Sequence, residues 1–176
     1  MRLFYAIFPP PTVQQALASA QDKVKGYKGW KTARPEQLHI TLFFLGEVHD
    51  GVLEQLSLVG RAVAKSVKPF QVELGGTGYF PASGSPRVWF IKAEGVGLEP
   101  LANGLRQALP DVRPAKAKQE EKFHPHLTLA RKKGPAPRVG PLVLGLRFEA
   151  KAVCLVESKL EKSGSEYEVL EVFPLS

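Results

Sequence analysis

The chain has a single cysteine, Cys154, among its 176 residues, so no intramolecular disulfide can form and a reducing compartment is expected. Cys154 falls in an apolar run and reads as a core filler. No apolar stretch approaches the ~20 residues of a bilayer span, so no membrane association is expected. The N-terminal run Met1 to Phe8 is too short for a signal peptide and meets Pro9-Pro10-Pro11, which with the lone cysteine gives a cytoplasmic expectation. Acidic side chains are in deficit, 17 against 24 Lys+Arg, leaving a net charge of +7 and a pI near 9.6. That balance favours a polyanionic partner such as nucleic acid. Histidine is scarce too. There are four: His39, His49, His124 and His126.

Two of those four stand in near-identical phrases, His39-Ile40-Thr41-Leu42 and His126-Leu127-Thr128-Leu129. Each phrase lies in a short apolar run that reads as a strand. Side chains alternate faces along a strand, so His and Thr share one face roughly 6–7 Å apart. Ile40, Leu42, Leu127 and Leu129 then point to a core. The surroundings repeat as well: an apolar strand opening at Arg2 precedes the first phrase, and one opening at Arg87 precedes the second, with a helix-like stretch between in each half. The pattern is an internal repeat of strand–helix–strand with the phrase on its closing strand, and it implies one cleft with two similar arms.

In chain order, residues 2–8 are a predicted strand, Thr12 caps a helix to about Lys25, and 38–45 is the first motif strand. Asp50 caps a helix to about Val67. Phe70 to Leu74 is a strand followed by a bend at Gly75, Gly76 and Gly78, and Arg87 to Lys92 opens the second half. A helix covers 98–109, and 111–123 is a polar, mobile loop carrying Arg113, Lys116, Lys118 and Lys122. Residues 126–130 form the second motif strand. Strands at 146–157 and 166–173, joined by a turn at Ser163-Gly164-Ser165, close the chain. The class is α+β: residues 1–176 form a single domain of two pseudo-symmetric, intertwined lobes, with mainly antiparallel sheets, helices packed outside and a central cleft.

Two histidines facing one cleft suit three chemistries. Metal ligation wants three or four ligands, and here the partners are threonines, so no metal or other cofactor is expected. Nucleophilic catalysis lacks a Gly-x-Ser-x-Gly elbow or a placed cysteine. Paired general acid and base work needs only two imidazoles near neutrality. Phosphoryl transfer matches that pair, because it needs a proton taken from the attacking oxygen and one given to the leaving oxygen on the opposite side of phosphorus. Threonine hydroxyls would donate to the non-bridging oxygens. A strained 2′,3′-cyclic phosphate on RNA is reactive enough for this chemistry, and the basic surface would hold the strand.

The run Arg2-Leu3-Phe4-Tyr5-Ala6-Ile7, the segments Leu38 to Glu47, Gly78-Tyr79-Phe80-Pro81 and Pro125 to Arg131, and the closing Leu155 to Leu160 and Tyr167-Glu168-Val169-Leu170 occur in one order across nearly the whole chain. In these blocks the sequence resembles the two-histidine phosphoesterases. Among them it is most similar to the bacterial and archaeal RNA 2′,3′-cyclic phosphodiesterases, historically called 2′-5′ RNA ligases. The resemblance implies metal-free opening of a terminal 2′,3′-cyclic phosphate to a 2′-phosphate, with a reverse joining reaction to a 2′,5′ linkage. It implies His39 as acid toward the 3′ oxygen, His126 as base for water, and Thr41 and Thr128 on the phosphate. Arg131 matches an arginine that follows the second motif, but strict alternation puts it on the face opposite His126, so it must reach round or the strand must bulge. By the same alternation Phe43 shares the open face with His39 and Thr41, in place either to stack a nucleobase or to cover the cleft wall, while Phe44 points to the core. Tyr79 and Phe80 are placed at the cleft border, His124 at the solvated start of the motif strand, and His49 at the surface. The competing functions are a phosphodiesterase of a small cyclic phosphate and a non-catalytic RNA-binding module of the same fold. No long exposed apolar stripe demands a partner, so a monomer is expected.

Overall fold

Arg2–Ile7 forms strand β1, and every residue of it after Arg2 is buried, because both faces of the strand are covered. Such a strand belongs in the interior of a sheet. The computed structural model describes residues 1–112 and 122–176 and sets β1 between two antiparallel neighbours, β3 (Ile40–Glu47) and β8 (Ala152–Glu161). Most of the polar loop at 111–123 lies outside the described residues, including Arg113, Lys116 and Lys118.

Among the described residues the other helices and strands are α1 (Pro11–Lys25), β2 (Trp30–Thr32), α2 (Leu53–Lys65), β4 (Phe70–Phe80), β5 (Val88–Glu94), α3 (Leu98–Ala108), β6 (His126–Lys132), β7 (Val143–Ala150) and β9 (Gly164–Pro174). All the described strands join one nine-stranded sheet of order β7-β4-β5-β6-β3-β1-β8-β9, with β2 paired to β6. Every pairing is antiparallel. The order reads alike from its middle outwards. Strands β1 and β3 enclose α1, β5 and β6 enclose α3, and the two motif strands meet at the centre through Ile40 opposite Leu127. Lys151 alone separates β7 from β8, although these strands lie near opposite ends of the order. The sheet therefore curls until its ends approach.

One face of the sheet carries the main core. Leu3, Tyr5, Ile7, Ile40, Leu42, Trp89, Ile91, Leu127 and Leu129 pack there against Leu17 and Val24 of α1, Leu56 of α2, and Leu98, Leu101 and Leu105 of α3. Burying each such side chain contributes about 1.5–3 kcal/mol. Two buried polar groups tie helices to strands. The Tyr5 hydroxyl donates to the Leu56 carbonyl at 2.6 Å, and Gln21 Nε2 of α1 donates to the carbonyls of Ala33 (2.7 Å) and Leu129 (2.9 Å). Gln21 thereby fixes α1 to the second motif strand. Helix α2 approaches the sheet at Gly60, where a Cβ would meet the Phe173 ring at 2.5 Å.

Several sequence expectations are corrected in detail. The α1 helix starts at Pro11 with Pro10 as its cap position, so Thr12 lies inside it. Asp50 opens a short 3-10 turn ahead of α2, and the exposed His49 caps that turn by accepting from Gly51 N–H at 3.0 Å. The glycines at 75, 76 and 78 do not end a strand; β4 runs through them with an irregularity between Leu74 and Thr77. At Gly78 the missing side chain matters, since a Cβ would meet the Phe90 ring at 2.9 Å. The expected strand 146–157 is two strands broken at Lys151. The terminal hairpin turns on Lys162-Ser163, with Gly164 at φ +120° opening β9, a conformation that favours glycine.

Candidate active site

The opposite face of the curled sheet bears the two motifs. Continuing the Ile40–Leu127 register one residue each way sets His39 across from Thr128 and Thr41 across from His126. The four side chains predicted from the sequence thus come together on one face of the central strand pair.

Each histidine is oriented by the same local device, a hydrogen bond to the carbonyl two residues earlier. His39 Nδ1 contacts the Gln37 carbonyl at 2.6 Å, and His126 Nδ1 contacts the His124 carbonyl at 2.5 Å. A carbonyl only accepts, so Nδ1 carries the proton and Nε2 is left as the reactive nitrogen. At His39, Nε2 lies 3.0 Å from the Thr41 hydroxyl, which donates to it in the neutral state.

Aromatic rings wall in both imidazoles. His39 stacks on Phe4 at 4.9 Å between ring centroids, with Phe8 at 5.5 Å and Tyr167 edge-on at 5.3 Å. His126 meets Phe80 at 5.1 Å and Phe90 at 5.4 Å, and those two phenyl rings stack at 4.1 Å. Phe80 therefore stands at the site, as expected. Its neighbour Tyr79 does not. Alternation turns Tyr79 to the other face, where its hydroxyl donates to the Val139 carbonyl at 3.0 Å and its ring packs near Trp30. The rings Phe4, Phe8, Phe90 and Tyr167 escaped the sequence reading. Their one signal was position: Phe4 and Phe90 lie on β1 and β5, the strands that open the two halves.

Burial among these rings makes protonation costly. It pushes the pKa of His39 down to about 4, with Arg131 and His126 adding like charge and the Gln37 carbonyl opposing the shift. His126 is lowered by burial first, against the His124 carbonyl, with Arg131 and His124 contributing. Between pH 6.5 and about 4 the unfolded chain binds a proton at His39 that the folded chain does not. The stabilising effect of neutral His39 is thus complete above pH 6.5 and is lost as pH falls through that window. The loss amounts to roughly 3 kcal/mol. Urea midpoints taken from pH 7 to pH 4 should fall more steeply for the wild type than for His39→Gln; parallel curves would show that His39 titrates normally.

Arg131 acts on His39, His126 and Tyr167 alike, so its charge belongs to this site. A bulge brings it there. Phe90 pairs with Thr128 and Trp89 with Ala130, so Leu129 is the extra residue, and Leu129 and Ala130 are consecutively buried. The extra residue inverts the alternation, and Arg131 emerges on the histidine face.

The first motif strand bulges at the same step. Ala6 pairs with Thr41 and Tyr5 with Phe43, leaving Leu42 extra. Strict alternation therefore fails, and the expectation for Phe43 is overturned: it is only 3 % exposed, inside the main core, and cannot present a face to substrate. Phe44 takes the open side at 39 % exposure, with the Arg2 guanidinium 4.9 Å above its ring. Five residues beyond its histidine, Phe44 is the counterpart of Arg131.

Beside His126 opens a cavity of about 320 Å³, lined by Phe80, Phe90, Lys92, Glu94, His124 and His126 among others. His124 is exposed and reaches this cavity. Among the described residues no group of three or more His, Cys, Asp or Glu converges as a metal site would need. No helix among them is long and apolar enough to cross a membrane.

A curled antiparallel sheet carrying two pseudo-symmetric His-x-Thr arms, each with Nδ1 held by a backbone carbonyl, is the arrangement of a two-histidine phosphoesterase. The family model described as the 2′-5′ RNA ligase superfamily matches residues 8–160, and the chain belongs to that superfamily. It is 46% identical over 179 residues to a protein of Thermus thermophilus named RNA 2′,3′-cyclic phosphodiesterase, covering 99% of this chain and 90% of the relative. A protein of that name from Archaeoglobus fulgidus is 33% identical, covering 98% and 99%. Among solved structures, TT0787 of Thermus thermophilus matches with a TM-score of 0.94 and 46% identity, covering 99% of this chain and 98% of that one. The LigT protein of E. coli complexed with 3′-AMP matches at 0.84 and 26% identity, with 99% and 98% covered.

Proposed function

We propose that this protein is an RNA 2′,3′-cyclic phosphodiesterase that opens a terminal 2′,3′-cyclic phosphate to a 2′-phosphate by acid/base catalysis with His39 and His126, without a metal. The observation that carries the reading is the matched presentation of two imidazoles, each offering Nε2 across the central strand pair. Water attacks phosphorus in line with the 3′ oxygen. His126 takes a proton from that water as the new P–O bond forms, and His39 gives its proton to O3′ as the P–O3′ bond breaks. Bound phosphate supplies the negative charge that raises both imidazole pKa values from their depressed free-state positions, so that one can be charged at neutral pH. Arg131, Thr41 and Thr128 donate to the non-bridging oxygens. With a 5′ hydroxyl in place of water the same steps join two strands: His126 takes the hydroxyl proton as the P–O5′ bond forms, and His39 protonates O3′ as the P–O3′ bond breaks, leaving a 2′,5′ linkage. The protein works as a monomer in the cytoplasm. Burial pushes the Cys154 thiol up to about 11, which leaves it an inert packing residue and not a nucleophile.

The test is incubation of the purified protein with a short RNA ending in a 2′,3′-cyclic phosphate, in excess chelator. The expected product end is a 2′-phosphate. A 3′-phosphate product, or loss of turnover on chelation, would overturn the mechanism.

A further inference from the structure

Strand β5 turns Phe90, Lys92 and Glu94 to the histidine face at alternate positions, and all three line the cavity beside His126. Phe80 stacks on Phe90, and the His124 ring stands 6.2 Å from Phe80, so the cavity has an aromatic wall. At about 320 Å³ it has room for a purine and its first hydration. Its two charged side chains, Lys92 and Glu94, are uncommitted among the described residues. Glu73, the cross-strand neighbour of Glu94, is paired with Arg147 at 3.0 Å, whereas among the described residues Glu94 and Lys92 form no ion pair.

We propose that this cavity is a nucleobase subsite that selects guanine at the 3′-terminal nucleoside, with Phe80 stacking the base and Glu94 reading its edge. The assignment rests on the reading of the chain as an RNA-end phosphodiesterase. The choice of base follows from hydrogen-bonding capacity. A carboxylate offers two adjacent acceptors, and guanine alone among the four bases presents two adjacent donors, N1–H and the N2 amine, on one edge. The next group along that edge is the O6 acceptor, which suits the Lys92 ammonium. Adenine and cytosine offer the carboxylate one amine, and uracil one ring N–H. The base turns into the cavity while the cyclic phosphate stands between the two imidazoles.

Four short RNAs differing only in the base that carries the 2′,3′-cyclic phosphate would be compared by kcat/KM, and the four nucleoside 2′-phosphates by calorimetric Kd. Guanosine is expected to lead both series on the order of tenfold, the size of one good bidentate contact. Glu94→Gln, isosteric and at an exposed position, should bring guanosine down to the level of the others. Phe80→Ala should weaken all four by a similar factor, since stacking is indifferent to base identity. Equal rates and equal affinities for all bases, or a guanosine preference that survives Glu94→Gln, would overturn the subsite. Should no RNA end be hydrolysed, the phosphodiesterase reading fails by itself, and the binding series still decides the subsite.

Discussion

His39→Ala and His126→Ala are each expected to slow opening of the cyclic phosphate by about 10³-fold, within the range that a positioned acid or base contributes. The double variant should be little worse than either single one, because the two imidazoles act on one transition state and neither is useful alone. The fold should survive. His126 gives up its edge contacts with Phe80 and Phe90 and one hydrogen bond to the His124 carbonyl, and His39 sits over Phe4 outside the main core. Far-UV circular dichroism and the urea midpoint at pH 7 check that point. The order of roles has its own readout. A substrate with sulfur in place of the 3′ oxygen has a leaving group that departs without protonation. It should restore much of the rate to His39→Ala and none to His126→Ala. Rescue of the other variant would reverse acid and base, and substantial turnover of the ordinary substrate by either variant would sink the two-histidine mechanism.

Much of this site was legible because chemistry and repetition coincide. Four histidines are few enough for a duplicated His-x-Thr to stand out, and a two-residue period was enough to place His and Thr together. The helices were legible from their apolar spacing, and the sheet class from strands linked by short turns. What stayed hidden depended on long-range pairing. Strand β2 is three residues long and exists only because β6 offers it a free edge. The division at Lys151 is invisible in a run without Gly or Pro from Leu146 to Glu157, since it reflects β7 joining β4 while β8 joins β1. The cage around His39 draws rings from β1, from the segment after it and from β9, positions that no local window connects.

The misplacement of Phe43 has the same origin. Alternation assumes an unbroken ladder, and a bulge is a property of two strands at once. Both motif strands bulge just after the threonine, and in both the residue five beyond the histidine comes to the open face. The consequence differs because the side chains differ: Phe44 offers a ring under Arg2, and Arg131 offers a charge that acts on both imidazoles.

Arg131→Ala should lower kcat/KM by about 10²-fold through loss of donors to the phosphate oxygens. Arg131→Lys should recover only part of it, because an ammonium keeps the charge but loses the planar fork that spans two oxygens. A merely structural arginine would give neither ranking. The histidines supply an independent check. Arg131 depresses both of their pKa values, so in Arg131→Ala each imidazole should titrate at higher pH than in the wild type, as followed by the ring-proton chemical shifts. In Arg131→Lys the positive charge remains, and the titrations should stay near their wild-type positions. Loss of rate with unmoved histidine titrations would place the guanidinium outside the electrostatic reach of the pair. An unchanged rate in Arg131→Ala would mean that the bulge at Leu129 shapes the strand without delivering a phosphate ligand.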